Sequence, residues 1–156
     1  MRSKLDKLLT RLLIVLMSIM VFSTLLQVFA RFIGFNVPFT EELTIYAMMW
    51  VTLFGSAYAF GLKKHVAIDA LITILADQQK WKLSILIEMM VAVFALLVLI
   101  VGGGWFSYIT FQLGQLSPVI QIPKGWIYIA IPVSGFMILI YNYLNVADTL
   151  ANKKKS

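Results

Sequence analysis

Long apolar runs separated by short polar connections form the main pattern of the sequence. A helix rising about 1.5 Å per residue needs about twenty apolar residues to cross a hydrocarbon layer of about 30 Å. Runs of this kind occur at residues 12–30, 43–62, 83–111 and 126–146. We therefore predict an all-α integral membrane protein in which residues 1–156 form a single membrane domain with four transmembrane helices.

The first crossing is predicted to continue an amphipathic helix at the start of the chain. Leu5, Leu8, Leu9 and Leu12 lie at the spacing i, i+3, i+4 and i+7, which places side chains on one helix face. A cleaved signal peptide is the alternative. Since the charge-free run 12–30 is longer than the usual apolar core of such a peptide, we favour a membrane crossing.

Helix-breaking residues separate the first two crossings. Pro38 falls near the end of a short connection at residues 31–39, and Thr40 is the predicted N-cap of the second helix. Glu41 and Glu42 then fall in its first turn, where the helix dipole favours carboxylates. The two acids either stabilise the helix start or contact another subunit. Arg31 is either their salt-bridge partner within the loop or part of the same contact.

The second crossing carries small residues near its end. Gly55 and Ala59 lie four residues apart, as do Ala57 and Gly61, and this spacing lets another helix approach closely. Trp50 lies in mid-crossing, away from the interfacial belt where tryptophan is common in membrane proteins. This position favours packing of Trp50 against a neighbouring helix.

Residues 66–80 combine a polar stripe at helical spacing with an opposed apolar face. Because the segment is too short and too polar to span, we predict an amphipathic helix that lies along the membrane surface or against a partner. His65 and Asp69 are four residues apart at its start and are expected to pair locally. Such a pair would fix the elbow between the second crossing and the surface helix.

The third crossing is long for a membrane helix. A continuous helix over residues 81–113 measures about 50 Å, so it must tilt, bend or project from the bilayer. The three glycines at 102–104 are the predicted place for a bend, because glycine weakens a helix and leaves no side chain to pack. In the fourth crossing, Pro132 predicts a kink.

Basic residues set the predicted orientation. If the N-terminus is cytoplasmic, the inner segments at residues 1–11, 63–82 and 153–155 hold eleven lysines and arginines, against Arg31 and Lys124 outside. This bias favours a cytoplasmic position for both termini. The acidic pair at the start of the second helix then faces the outside.

Composition agrees with a membrane protein and narrows the chemistry. Hydrophobic residues make up 61% and charged residues 13% of the chain, and the mean hydropathy is +0.91. The net charge of +6 is expected to reflect orientation and contact with membrane lipid, with no role in nucleic-acid binding. Since the chain has one histidine and no cysteine, we expect no metal site, no cofactor and no enzyme active site.

Glu88 is the only ionisable residue within an apolar run. An intramembrane carboxylate can couple transport to ion movement, so a self-sufficient small oligomeric secondary transporter coupled through Glu88 is the alternative function. The simpler interpretation is a residue near the membrane boundary that snorkels or pairs with Lys63 or Lys64. We favour this simpler interpretation.

Several of these features together resemble a known family. An acidic pair, a tryptophan, a glycine, a basic pair and a His-Val-Ala-Ile-Asp sequence follow one another at Glu41, Glu42, Trp50, Gly55, Lys63, Lys64 and residues 65–69. This arrangement is similar to the small membrane subunit of tripartite ATP-independent periplasmic (TRAP) transporters. The resemblance implies a complex of the bacterial inner membrane that takes up organic acids, such as sialic acid or C4-dicarboxylates, with a sodium gradient.

The resemblance also implies partners. A periplasmic substrate-binding protein delivers substrate to a large membrane subunit, which holds the substrate and sodium sites, and this chain is the second membrane subunit. We therefore predict a scaffold that holds the immobile part of the large subunit. The candidate contacts with a subunit or partner are Arg31, Glu41, Glu42, Trp50, Gly55, Ala59, His65 and Asp69.

Overall fold

The computed structural model describes residues 2–62 and 77–153. Its helices are α1 (Arg2–Phe32), α2 (Pro38–Gly61), α3 (Asp77–Phe94), α4 (Gly103–Gln112), α5 (Lys124–Tyr128) and α6 (Ala130–Lys153). A π-helical segment, Ala95–Gly102, joins α3 to α4. In these two ranges the chain forms no β-strand, and extended pairing is confined to an isolated bridge between Leu116 and Pro123.

The prediction of an all-α protein with four membrane helices is confirmed. Within the described ranges, four helical stretches are long and apolar enough to cross a membrane: Arg2–Phe32, Pro38–Gly61, Leu83–Gln112 and Lys124–Asp148. The amphipathic start and the first crossing form one continuous helix, as expected. The predicted surface helix at 66–80 lies outside the described residues except for 77–80, which open α3.

The start of α2 corrects the predicted N-cap. The helix begins at Pro38, and Val37 precedes it with the non-helical angles φ −122° and ψ 76°. Proline suits the first helical position, because the N–H that it lacks has no intrahelical acceptor there. Thr40 therefore lies inside the helix, where its hydroxyl donates to the carbonyl oxygen of Val37 at 2.7 Å. The prediction of Thr40 as the N-cap is wrong.

The third crossing departs from α-helical geometry in a segment that ends on Gly102, the first of the three glycines. Ala95–Gly102 forms the wider turns of a π-helix, whereas Gly103 keeps the helical angles φ −66° and ψ −37°. Opposite these wide turns, a Cβ on Gly135 of α6 would lie 2.8 Å from the Cβ of Leu99. The absence of a side chain at Gly135 thus lets α6 approach the π-helical segment closely.

The fourth crossing is interrupted close to Pro132. Helix α5 ends at Tyr128 and α6 begins at Ala130. A proline has no N–H to donate to the carbonyl four residues earlier, here that of Tyr128, and its ring crowds that carbonyl. The interruption therefore falls one turn before the proline.

Packing runs in the order α1, α2, α6 and the third crossing. The buried apolar core between these helices consists of Leu9, Phe54, Ala57, Phe60, Ala95, Ala130, Ile138 and Tyr141. Its three alanines let the helix backbones approach closely. Large apolar side chains on the free sides of α1 and of the third crossing are exposed, among them Phe22, Phe29, Met90 and Trp105. These surfaces suit contact with lipid or with another membrane helix.

Candidate functional site

One end of the bundle, which we call the loop end, contains three of the eight predicted contact residues, with Arg31 at the end of α1 and Glu41 and Glu42 at the start of α2. It comprises the last turn of α1, the connection 33–37, the first turn of α2 and the loop 113–123 between α4 and α5. The loop folds back on itself, and the N–H of Ser117 donates to the carbonyl oxygen of Ile122 at 2.9 Å. This bond gives the loop a hairpin-like form.

Glu42 connects α2 to the turn of this loop. Its side chain is 8% exposed, and Oε2 accepts hydrogen bonds from the N–H groups of Val119 at 3.1 Å and Ile120 at 2.8 Å. The hydroxyl of Tyr46 donates to Oε1 at 2.5 Å. One carboxylate thus receives three hydrogen bonds and fixes the loop between the third and fourth crossings against the second crossing.

Glu41 and Arg31 lie on the accessible side of the loop end. Both side chains are exposed, and they line a cleft of about 410 Å³ together with Gln27, Gly34, Phe35, Asn36 and Val37. Neither charged group has an ion-pair partner among the side chains described in residues 2–62 and 83–148. The two adjacent glutamates therefore differ in their surroundings, since Glu42 is bound within the chain and Glu41 is accessible.

Trp50 packs inside the chain. Its indole N–H donates to the carbonyl oxygen of Ile127 at 3.0 Å, and its ring meets Phe54 edge-on at a centroid distance of 5.6 Å. The hydrogen bond joins α2 to α5, close to the interruption of the fourth crossing. Trp50 thus positions two crossings relative to each other.

The small residues of α2 face different neighbours. A Cβ on Gly61 would lie 2.5 Å from the ring of Tyr141, and Ala57 is fully buried. A Cβ on Gly55 would meet Leu13 of α1 at 3.9 Å, and Ala59 is exposed. The pair of Ala57 and Gly61 therefore serves packing within the chain, whereas Ala59 is accessible to another helix.

Glu88 lies opposite Asn142 of α6. The buried amide nitrogen of Asn142 donates to Oε2 of Glu88 at 2.7 Å and to its backbone carbonyl oxygen at 2.6 Å. The pair joins the third crossing to the fourth. Lys63 and Lys64, the partners predicted for Glu88, lie outside the described residues.

A further set of polar contacts, which the sequence analysis did not single out, lies at the opposite end of the bundle. Arg2 forms an ion pair with Asp148 at 2.8 Å and donates to the carbonyl oxygen of Gly61. The hydroxyl of Tyr141 donates to Oδ1 of Asp6 at 2.5 Å. These bonds tie the start of α1 to the ends of α2 and α6. The available signal was Asp6, an acid within an otherwise basic helical start.

Residues of the types that bind metals do not cluster in the described part of the chain. Within residues 2–62 and 83–148, no three side chains of His, Cys, Asp or Glu are grouped so as to hold a metal ion. His65 and Asp69, the pair predicted at the elbow after the second crossing, lie outside those ranges.

Comparison with known proteins places these features in context. Residues 20–152 match the model of a family described as the DctQ component of tripartite ATP-independent periplasmic transporters. A Haemophilus influenzae protein, whose name assigns it to the TRAP transporter small permeases, is 30% identical over 125 residues, which cover 79% of this chain and 73% of that protein. The C4-dicarboxylate TRAP transporter small permease DctQ of Rhodobacter capsulatus is 30% identical over 115 residues, which cover 73% of this chain and 49% of that protein.

Proposed function

The chain belongs to the family of DctQ components of tripartite ATP-independent periplasmic transporters, and we propose that it is the scaffold subunit of a sodium-coupled transporter for organic acids. The observation that carries the proposal is the family match over residues 20–152, which reaches all four stretches that are able to cross a membrane. Because the Rhodobacter capsulatus relative is named for C4-dicarboxylates, these acids are one proposed substrate class. Sialic acid is the other.

The internal polar contacts support a static role. Glu42 fixes the loop of the third and fourth crossings to α2, Trp50 joins α2 to α5, and Glu88 joins α3 to α6. Each of these side chains connects two elements of the same chain. Contacts of this kind suit a subunit that keeps its shape while a large membrane subunit moves substrate beside it.

The proposed partners are the large membrane subunit and a periplasmic substrate-binding protein, in the bacterial inner membrane. Exposed apolar side chains on α1 and on the third crossing, with Ala59 on α2, offer surfaces for the large subunit. With both termini in the cytoplasm, as the basic residues favour, Arg31 and Glu41 face the periplasm. The binding protein approaches from that side.

Reconstitution in vesicles tests the proposed function. The large subunit and this chain are incorporated together or singly, a sodium gradient and the binding protein are supplied, and uptake of labelled succinate and sialic acid is measured. Uptake is expected only when both membrane subunits are present. Uptake by this chain alone, or undiminished uptake by the large subunit alone, would contradict the scaffold role.

The substitution Glu88→Gln separates the scaffold from an independent transporter. Glutamine keeps a side-chain oxygen that accepts the hydrogen bond from Asn142, so we expect the two-subunit complex to assemble and to transport within about twofold of the unchanged complex, a difference well under 1 kcal/mol. Uptake and the yield of purified complex are measured side by side. Loss of uptake with a normal yield would favour ion coupling through Glu88.

A further inference from the structure

The end of α1 forms a fixed wall of the cleft beside Arg31. The N–H of Phe35 donates to the carbonyl oxygen of Ala30 at 2.9 Å, and the N–H of Gly34 donates to that of Arg31 at 3.2 Å. With a φ of +81° at Gly34, these two bonds make a Schellman motif, which ends a helix with defined geometry. The backbone around the cleft is therefore held in place by hydrogen bonds.

The cleft presents two opposite charges that do not pair with each other. The guanidinium of Arg31 and the carboxylate of Glu41 both line it, yet their charged atoms lie farther apart than the 4.0 Å of an ion pair. Gln27 and Asn36 add neutral donors and acceptors, and Gln27 is oriented by its bond to Oγ1 of Thr44 at 3.3 Å. The cleft thus suits a ligand that carries both a negative and a positive group.

An apolar groove continues from the cleft along α1. This second cavity of about 330 Å³ is lined by Val28 and Phe32 and shares Gln27 and Arg31 with the cleft. Arg31 directly follows the charge-free run 12–30. The cleft therefore lies at the depth of lipid headgroups and the groove at the depth where acyl chains begin.

We propose that the cleft and groove bind one molecule of phosphatidylethanolamine. The phosphate lies at Arg31, since a guanidinium binds phosphate oxygens through paired N–H donors. The ammonium group donates to the carboxylate of Glu41. An acyl chain lies against Val28 and Phe32.

The charge arrangement selects among the common lipid headgroups. Phosphatidylglycerol satisfies Arg31 but brings no cation to Glu41. Phosphatidylcholine brings a cation without N–H donors. Phosphatidylethanolamine alone among these three offers an anion, a cation and N–H donors at once, which matches both charged walls of the cleft.

Native mass spectrometry of the delipidated full-length chain tests the proposal. The chain is titrated with phosphatidylethanolamine, phosphatidylglycerol and phosphatidylcholine of identical acyl chains. We expect phosphatidylethanolamine to bind about tenfold more tightly than the other two, and Arg31→Gln to weaken its binding about tenfold. Glu41→Gln is expected to abolish the preference over phosphatidylglycerol. Lys124→Gln removes a basic residue that does not line the cleft, and it serves as the control with unchanged binding.

Several results would overturn the proposal. Equal binding of the three lipids would remove the charge argument, and losses in Arg31→Gln and Glu41→Gln no larger than in Lys124→Gln would remove the site. Soluble glycerophosphoethanolamine carries the same headgroup without acyl chains. If it displaced the lipid at matched concentration, the acyl chain would contribute nothing to binding, and the groove would not be part of the site. If the chain bound no lipid and the binding protein covered the cleft instead, the cleft would be a site of protein contact. The readout is lipid binding, so it does not depend on transport.

Discussion

Replacing Glu42 with alanine is expected to release the loop 113–123 from α2 and to expose the backbone amides at its turn. The N–H groups of Val119 and Ile120 lose the carboxylate that accepts their hydrogen bonds, and the hydroxyl of Tyr46 loses the same acceptor. Because hydrogen bonds to a charged group are among the stronger ones in proteins, amide exchange at the turn should accelerate by about tenfold or more. Hydrogen–deuterium exchange of the purified chain measures this.

Glu41→Ala is the matched control for this experiment. It removes a carboxylate one position away that is exposed and makes no bond to the loop. Exchange in the loop should therefore stay unchanged in this variant. The same acceleration in both variants, or in neither, would show that Glu42 does not hold the loop.

The same pair of variants connects the loop to transport. In the reconstituted two-subunit complex, we expect Glu42→Ala to lower uptake more than Glu41→Ala does, because only Glu42→Ala releases the loop 113–123 from α2. Normal uptake kinetics in Glu42→Ala, together with a released loop, would show that the position of this loop does not matter for transport.

Gly61→Ala is expected to destabilise the chain by about 1–3 kcal/mol, the usual cost of overpacking a closely packed site. A Cβ at this position would lie 2.5 to 2.6 Å from three ring carbons of Tyr141. The ring has no room to retreat, since Tyr141 is fully buried and its hydroxyl is bonded to Asp6. The measurement is the thermal unfolding of the purified chain in detergent.

Gly104→Ala is the control for the steric argument. This glycine is also helical, but a Cβ added there would meet no atom within 4 Å. Alanine favours a helix over glycine by about 1 kcal/mol, so this variant should unfold at the same or a slightly higher temperature. Equal stability of Gly61→Ala and Gly104→Ala would contradict the close contact at Tyr141.

A double variant tests whether the contact itself is the cause. With Tyr141→Ala in place, the ring that Gly61→Ala would displace is gone, so the second substitution should add little further destabilisation. Additive losses in the double variant would assign the effect of Gly61→Ala to the helix end and not to the tyrosine.

The four crossings were predictable because membrane thickness fixes the length of an apolar helix. The interruption near Pro132 was predictable too, since it follows from the missing N–H of one residue. The start of α2 was misjudged, because Thr40 is a good capping residue by type, whereas Pro38 is the better first helical residue by geometry. The N-cap preference of Thr40 and the first-turn preference of Pro38 favour different helix starts, and the helix begins at Pro38.

The different roles of Glu41 and Glu42 were not predictable. The spacing of Glu42 and Tyr46 places them on one helix face, but their common neighbour, the turn at Val119 and Ile120, lies more than seventy residues away in the sequence. The π-helical segment was not predicted either, since the glycines at 102–104 indicated a bend and the wide turns lie in Ala95–Gly102. It forms beside Gly135 of another helix, and this proximity follows from packing.

The neighbour order of α1, α2, α6 and the third crossing is closed at the end opposite the loop end, where Arg2 and Asp6 of α1 reach Asp148 and Tyr141 of α6. At the loop end, Glu42 joins α2 to the connection between the third and fourth crossings. The bundle is therefore braced at both of its ends, and a load on one crossing is passed to its neighbours.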